Sequence, residues 1–152
     1  MILQSKWKRN VPNPTLPKGK ALEDMKILVV EDQNDMLMLI RNMLREFGIT
    51  QVYHAKTGKS ALDFIDEAVD LVDIVLCDWN MPGMSGVELL RQFRSVDGDT
   101  PFVMVTGRSD QESVAEAKTC GVSAYIRKPF SPDQLEVKLR AVTHRMAAAA
   151  SA

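Results

Sequence analysis

Cysteine is scarce in this 152-residue chain: only Cys77 and Cys120 occur. They form no CxxC and no metal-ligand spacing, so no disulfide framework and no thiolate metal site is expected, and a reducing cytoplasm fits them. Long apolar runs are also missing. The longest is far too short to span a bilayer, so no membrane segment is expected. No apolar stretch stands at the N-terminus, so no signal peptide is expected either. A large charge imbalance is absent too: the net charge is −1, which argues against a chain tuned as a whole for nucleic acid. What remains, 45% apolar and 26% charged residues, is the composition of an ordinary globular domain.

The charge is unevenly placed. Residues 1–22 hold Lys6, Lys8, Arg9, Lys18 and Lys20 and no acid. Pro12, Pro14 and Pro17 prevent this stretch from forming one regular element. Residues 1–24 therefore read as a flexible basic arm, with Trp7 as its one feature suited to a surface contact. Met25 directly precedes the first strand-like run and is a candidate natural start. Residues 147–152 read as a low-complexity, Ala-rich tail, leaving 25–146 as the domain.

Within that domain, apolar strand-like runs alternate with helical patterns. "KILVV", "QVYHA", "DIVLC", "PFVMVT" and "SAYIR" are the runs. Between them, apolar residues recur three or four apart: Met36, Ile40, Met43, Leu44 and Phe47; Ala61, Leu62, Ile65 and Val69; Val87, Leu90 and Phe93. A fourth helix stops at Gly121. The last opens at Ser131, with Pro132 and Gln134 completing a capping-box pattern, and carries the stripe Leu135, Leu139 and Val142. Five strand–helix units in series require parallel pairing through right-handed crossovers. The expected fold is α/β, a doubly wound five-stranded parallel sheet in the order 2-1-3-4-5 with helices on both faces.

In such a sheet, function collects at the carboxyl ends of the strands. Those ends present Glu31 and Asp32, Asp78, Thr106, and Tyr125 with Lys128. Three carboxylates converging on one crevice repel each other, and a hard cation with oxygen ligands relieves this. Mg²⁺ is the expected cofactor because it retains waters and bridges phosphate oxygens. Lys128 can pair with Asp78 or a phosphoryl oxygen, and the Thr106 hydroxyl can donate to another. The set suits phosphoryl transfer, with the Asp78 carboxylate as nucleophile.

The stretches "LVVED", "DWNMPGMSGVELL", "VMVTG" and "AYIRKPF" resemble the motifs of bacterial response-regulator receiver domains, and are most similar to the single-domain chemotaxis regulators (CheY-like) of that family. The resemblance covers residues 25–146. It implies that Asp78 is the phosphoacceptor and that Glu31 and Asp32 are the metal-binding acids, Asp32 directly. It implies that Asn80 offers its backbone carbonyl to Mg²⁺, that Thr106 and Lys128 sense the phosphoryl group, and that Tyr125 is the switch aromatic. It also implies a cis bond at Lys128–Pro129. Arg108 falls at a variable position near the phosphoryl group.

The implied function is a single-domain response regulator of a two-component system. A sensor histidine kinase donates the phosphoryl group. The output is a protein contact through helix four, strand five and helix five, with the flagellar motor switch as partner in a chemotaxis reading. A relay shuttle or phosphate sink serving a histidine phosphotransfer protein is the alternative, as is an unphosphorylated scaffold. A monomer without a DNA-binding domain, acting on no substrate but its own phosphoryl group, is expected in the cytoplasm.

Plainer roles stand beside these. Tyr125 could serve only as a core aromatic, and Trp79 reads as a partly exposed loop aromatic. Cys77 reads as a buried strand residue, His54 and His144 as surface residues, and Met36, Met38 and Met43 as adaptable packing. An aspartyl phosphatase would need a second Asp two residues after its nucleophile, where Asn80 stands. A flavin carrier would need phosphate donors where "EDQND" would repel a phosphate.

Overall fold

The computed structural model describes residues 21–68, 72–107 and 111–151. Its elements alternate: β1 (Lys26–Val30), α1 (Asn34–Glu46), β2 (Gln51–Ala55), α2 (Gly58–Glu67), β3 (Ile74–Asp78), α3 (Gly86–Val96), β4 (Phe102–Thr106), α4 (Gln111–Thr119), β5 (Ala124–Arg127) and α5 (Pro132–Ser151). A 3₁₀ turn at Leu22–Asp24 precedes β1. The strand order is β2-β1-β3-β4-β5 with every pairing parallel, as the alternation of patterns requires. The expectations placed on residues 1–20, Val69 and Arg108 lie outside the described residues.

Side chains alternate along each central strand between two cores. Ile27, Val29, Ile74, Leu76, Val103 and Val105 pack with α1 and α5. Leu28, Val30, Val75, Cys77, Phe102 and Met104 pack with α2, α3 and α4. β1, β3 and β4 are therefore apolar throughout, because both their faces are covered. Each fully buried Leu, Ile or Phe contributes about 1.5–3 kcal/mol. β2, at the sheet edge, is mostly exposed or half-buried.

Local chemistry sets the helix starts. Thr57 and Ser85 each accept the backbone N–H three residues on, and Ser60 and Glu88 return the bond. At α5, Ser131 N–H donates to Gln134 Oε1 and Gln134 N–H to Ser131 Oγ, which is the capping box expected there. Two features lie in stretches that read as unstructured. Leu22 is buried in the α1–α5 core beside Met25, so the packed unit begins inside the segment assigned to the arm. The backbone of α5 continues to Ser151, through most of the segment assigned to the tail.

Candidate functional site

β1 and β3 end side by side at the middle of the sheet, with β4 next to β3, and this brings the expected residues together. Asp78 is the last residue of β3, in register with Val105 of β4. Glu31 follows β1 directly, anchored by its N–H to the Ala55 carbonyl. Both carboxylates are buried, Glu31 at 1% exposure and Asp78 at 6%. Asp32 is half-buried beside them. One carboxylate oxygen from each of the three lies within 4.8 Å of the others.

Lys128 answers part of this negative charge. Its Nζ donates to Asp78 Oδ1 at 3.0 Å and stands 3.5 Å from Glu31 Oε1. Its backbone N–H donates to the Thr106 carbonyl, tying it to the end of β4. The Lys128–Pro129 bond is cis. One ammonium does not offset three acids. Burial raises the pKa of Asp78 above the ordinary carboxylate value, against the hydrogen bond and charge of Lys128. Burial likewise raises Glu31, opposed by its hydrogen bond from Gln33 N–H and reinforced by the charge of Asp78.

Glu31 Oε1 and Asp32 Oδ1 are buried without a hydrogen-bond partner. Buried polar atoms are normally satisfied. With Asp32 Oδ1 unpartnered and Glu31 Oε1 met only by the 3.5 Å ion pair to Lys128, these oxygens beside a third carboxylate fit a hard divalent cation with oxygen ligands, and Mg²⁺ in particular. Receiver domains generally bind Mg²⁺ through such an acidic cluster. Asn80 is exposed in the loop two residues past Asp78.

That loop is shaped by close packing. Gly86 N–H donates to the Trp79 carbonyl at 2.7 Å. A Cβ on Gly86 would stand 2.3 Å from the Asp78 carbonyl oxygen and 2.8 Å from Trp79 Cα. Only glycine lets α3 begin this close to the end of β3. Gly83, with a φ of 77°, makes the turn between them.

Thr106 ends β4 fully buried, on the strand next to the one bearing Asp78. Tyr125, in β5, is half-buried. Its ring meets Trp79 edge-on, with centroids 6.4 Å apart and planes at 73°. Trp79 itself is only 4% exposed, which corrects the expectation of a partly exposed aromatic. Trp79 N–H donates to the Val105 carbonyl at 3.1 Å, extending the ladder by one residue, so Trp79 falls on the face of Val75 and Cys77 and enters the α2–α4 core with Met81. Cys77, next to Asp78, is fully buried, and burial together with the charges of Asp78 and Glu31 raises its pKa well above the usual thiol value. It is no competing nucleophile. His54 and His144 are exposed. No helix among the described residues is long and apolar enough to cross a membrane.

A parallel 2-1-3-4-5 sheet with an acidic pocket and a lysine at its central carboxyl edge defines a class of signalling module. The family model for the response regulator receiver domain matches residues 27–140, and the chain belongs to that family. It is thus the receiver domain of a two-component response regulator. The chain is 36% identical over 126 residues to the chemotaxis protein CheY-3 of Vibrio cholerae, covering 82% of this chain and 95% of that protein. It is 36% identical over 124 residues to the chemotaxis protein CheY of Pseudomonas aeruginosa, covering 80% and 98%. Among solved structures, Vibrio cholerae CheY4 superimposes with a TM-score of 0.71 at 31% identity, covering 78% of this chain and 98% of that one.

Proposed function

We propose that this protein is a phosphorylation switch acting in chemotaxis, in which Asp78 accepts a phosphoryl group from a sensor histidine kinase. The carrying observation is the setting of Asp78, held at a strand end between the Lys128 ammonium at 3.0 Å and two acids that each bring a buried oxygen without a hydrogen bond. An Asp78 carboxylate oxygen attacks the phosphorus of a phosphohistidine. The O–P bond forms as the N–P bond breaks, and the imidazole leaves. Lys128 exchanges its bond to Asp78 for one to a phosphoryl oxygen, and the Thr106 hydroxyl donates to another. Magnesium held by Glu31, Asp32, Asp78 and the Asn80 carbonyl would neutralise charge on the transferring group. The protein turns over no substrate apart from its own phosphoryl group.

Phosphorylation adds a charge of about −1.5 to −2 with strong acceptor oxygens. Movement of Thr106 and Lys128 toward it would reposition Tyr125 and the α4–β5–α5 face. Support comes from a cavity of about 480 Å³ at this face, which Tyr125, Ile126, Arg127 and Val137 help line. Val137 is 66% exposed there. An output protein seated on this apolar floor would sense Tyr125 directly, and the relatives named as chemotaxis proteins favour the flagellar motor switch as that partner.

Intact mass after incubation with acetyl phosphate and Mg²⁺ tests the reading. One added phosphoryl group on the wild type, lost in Asp78→Asn and with EDTA, is expected. No adduct, together with no response to beryllofluoride, would overturn it and leave a scaffold.

A further inference from the structure

At the sheet edge opposite the acidic pocket, the short corner between α4 and β5 is gripped from both helical layers. Arg94, in the last turn of α3, donates from Nε to the Gly121 carbonyl at 2.9 Å and from Nη2 to Ser123 Oγ at 3.2 Å. Its Nη1 donates to the carbonyls of Asp97 at 3.1 Å and Thr100 at 2.7 Å, so the same guanidinium also fixes the loop leading into β4. From the other face, Arg145 of α5 donates to the Ser123 carbonyl at 2.8 Å. Ser123 Oγ in turn accepts the N–H of Phe102, the first residue of β4.

Gly121 is fitted to this grip. Its φ of 94° favours glycine, and a Cβ there would meet Arg94 Nε at 3.2 Å and Cδ at 3.3 Å. Elsewhere α4 is held less firmly, with Arg91 of α3 reaching Glu116 at 3.4 Å across an exposed surface. It buries only Ser113 and Ala117, both small, whereas α3 buries five residues, among them Leu89, Leu90 and Phe93. Sparse apolar contact along the body lets that part of the helix open at low cost, while the bonded end resists.

We propose that the Gly121–Ser123 corner is the fixed pivot of α4 and β5, and that Arg94 is the positioning residue that sets it. The pivot stands on the geometry alone. Its consequence, that the change at Thr106 and Tyr125 swings α4 instead of displacing it bodily, rests on the reading of Asp78 as phosphoacceptor. A guanidinium is suited to the task because its planar fork serves four acceptors at once, which the single ammonium of a lysine cannot reach together.

Hydrogen exchange resolved by residue on the full chain tests this, comparing wild type, Arg94→Met and Arg94→Lys. In Arg94→Met, amides of α4 and of Val122 and Ser123 are expected to exchange about tenfold faster relative to those of β1 and β3. Arg94→Lys should fall between, and it carries the test if Arg94→Met does not fold. With Mg²⁺ and beryllofluoride, Trp79 fluorescence should titrate in the variants as in the wild type, while the induced shifts of α4 resonances fall to about half or less. Uniform acceleration across the sheet, unchanged exchange in α4, or a full α4 response in the variants would each overturn the proposal. If wild type itself ignores beryllofluoride, the phosphoacceptor reading fails, and the exchange comparison without it still decides the pivot.

Discussion

Lys128 and Asp78, fifty residues apart in sequence, form a 3.0 Å ion pair at the centre of the sheet's carboxyl edge. The same ammonium is 3.5 Å from Glu31, so it compensates two buried acids. Lys128→Met should leave both carboxylates together without their cation. A loss of about 1–3 kcal/mol is expected at pH 7, shrinking as the carboxyls protonate. Urea denaturation at pH 7 and pH 5 checks it, and an equal loss at both would count against the ion pair as the cause.

The pH dependence follows from the direction of two shifts. Asp78 and Glu31 are raised in the fold, chiefly by burial. The folded protein therefore holds more protons than the unfolded chain from about pH 4 up through the raised values. Over that window these two groups lower stability as pH rises, and the cost persists above it. Asp78→Asn should remove part of that cost and stabilise the metal-free protein by about 0.5–2 kcal/mol at pH 7. The difference between variant and wild type should vanish toward pH 4, measured by urea midpoints.

Mg²⁺ should act in the same direction through the opposite charge. A ligand that binds only the folded state, at a hundred times its Kd, stabilises by about 2.7 kcal/mol. Thermal unfolding with increasing Mg²⁺ should show a rising Tm for the wild type and a much weaker response in Asp32→Asn. Equal responses would remove Asp32 from the ligand set.

Gly86→Ala places a methyl against the Asp78 carbonyl. The backbone of both α3 and β3 would have to shift, at a cost of about 1–3 kcal/mol. The rate of reaction with acetyl phosphate should fall with it, because the displaced carbonyl belongs to Asp78, the proposed acceptor. A variant of wild-type stability would show that the loop relaxes freely.

Leu22, only 2% exposed, closes the α1–α5 core from below. Leu22→Ala should destabilise by about 2–5 kcal/mol without altering Mg²⁺ affinity, read by urea unfolding and Trp79 fluorescence.

Much of this architecture was legible in the chain. β1, β3 and β4 are buried on both faces, so their apolar runs are unbroken, and parallel pairing leaves few ways to order five of them. Asp78 was legible only in company: alone, an acid at a strand end reads as a loop acid or a helix cap, and it is Glu31, Asp32, Thr106 and Lys128 at neighbouring strand ends that single it out. Trp79 was not legible, because its neighbours spell a loop, whereas its N–H still bonds the Val105 carbonyl and keeps the Val75–Cys77 alternation going one residue past Asp78. Leu22 was hidden by the prolines and lysines before it. Arg94 reads as one more cation in a helix, and its partners, Gly121 and Ser123, are remote in sequence. Its four acceptors are mostly backbone carbonyls, which leave no mark on residue identity.

Asp78 belongs to a strand and not to the loop that follows it. Its position is thus quantised by the ladder to β4, one register at a time, and does not drift with loop conformation. Segments that begin beyond the strand ends should be exchangeable for those of another receiver with little effect on where the carboxylate stands, provided a glycine is kept at position 86, where α3 meets the Asp78 carbonyl. Chimeras made in this way would inherit a partner or a signal duration from the grafted segment while retaining the host's Asp78 carboxylate in place.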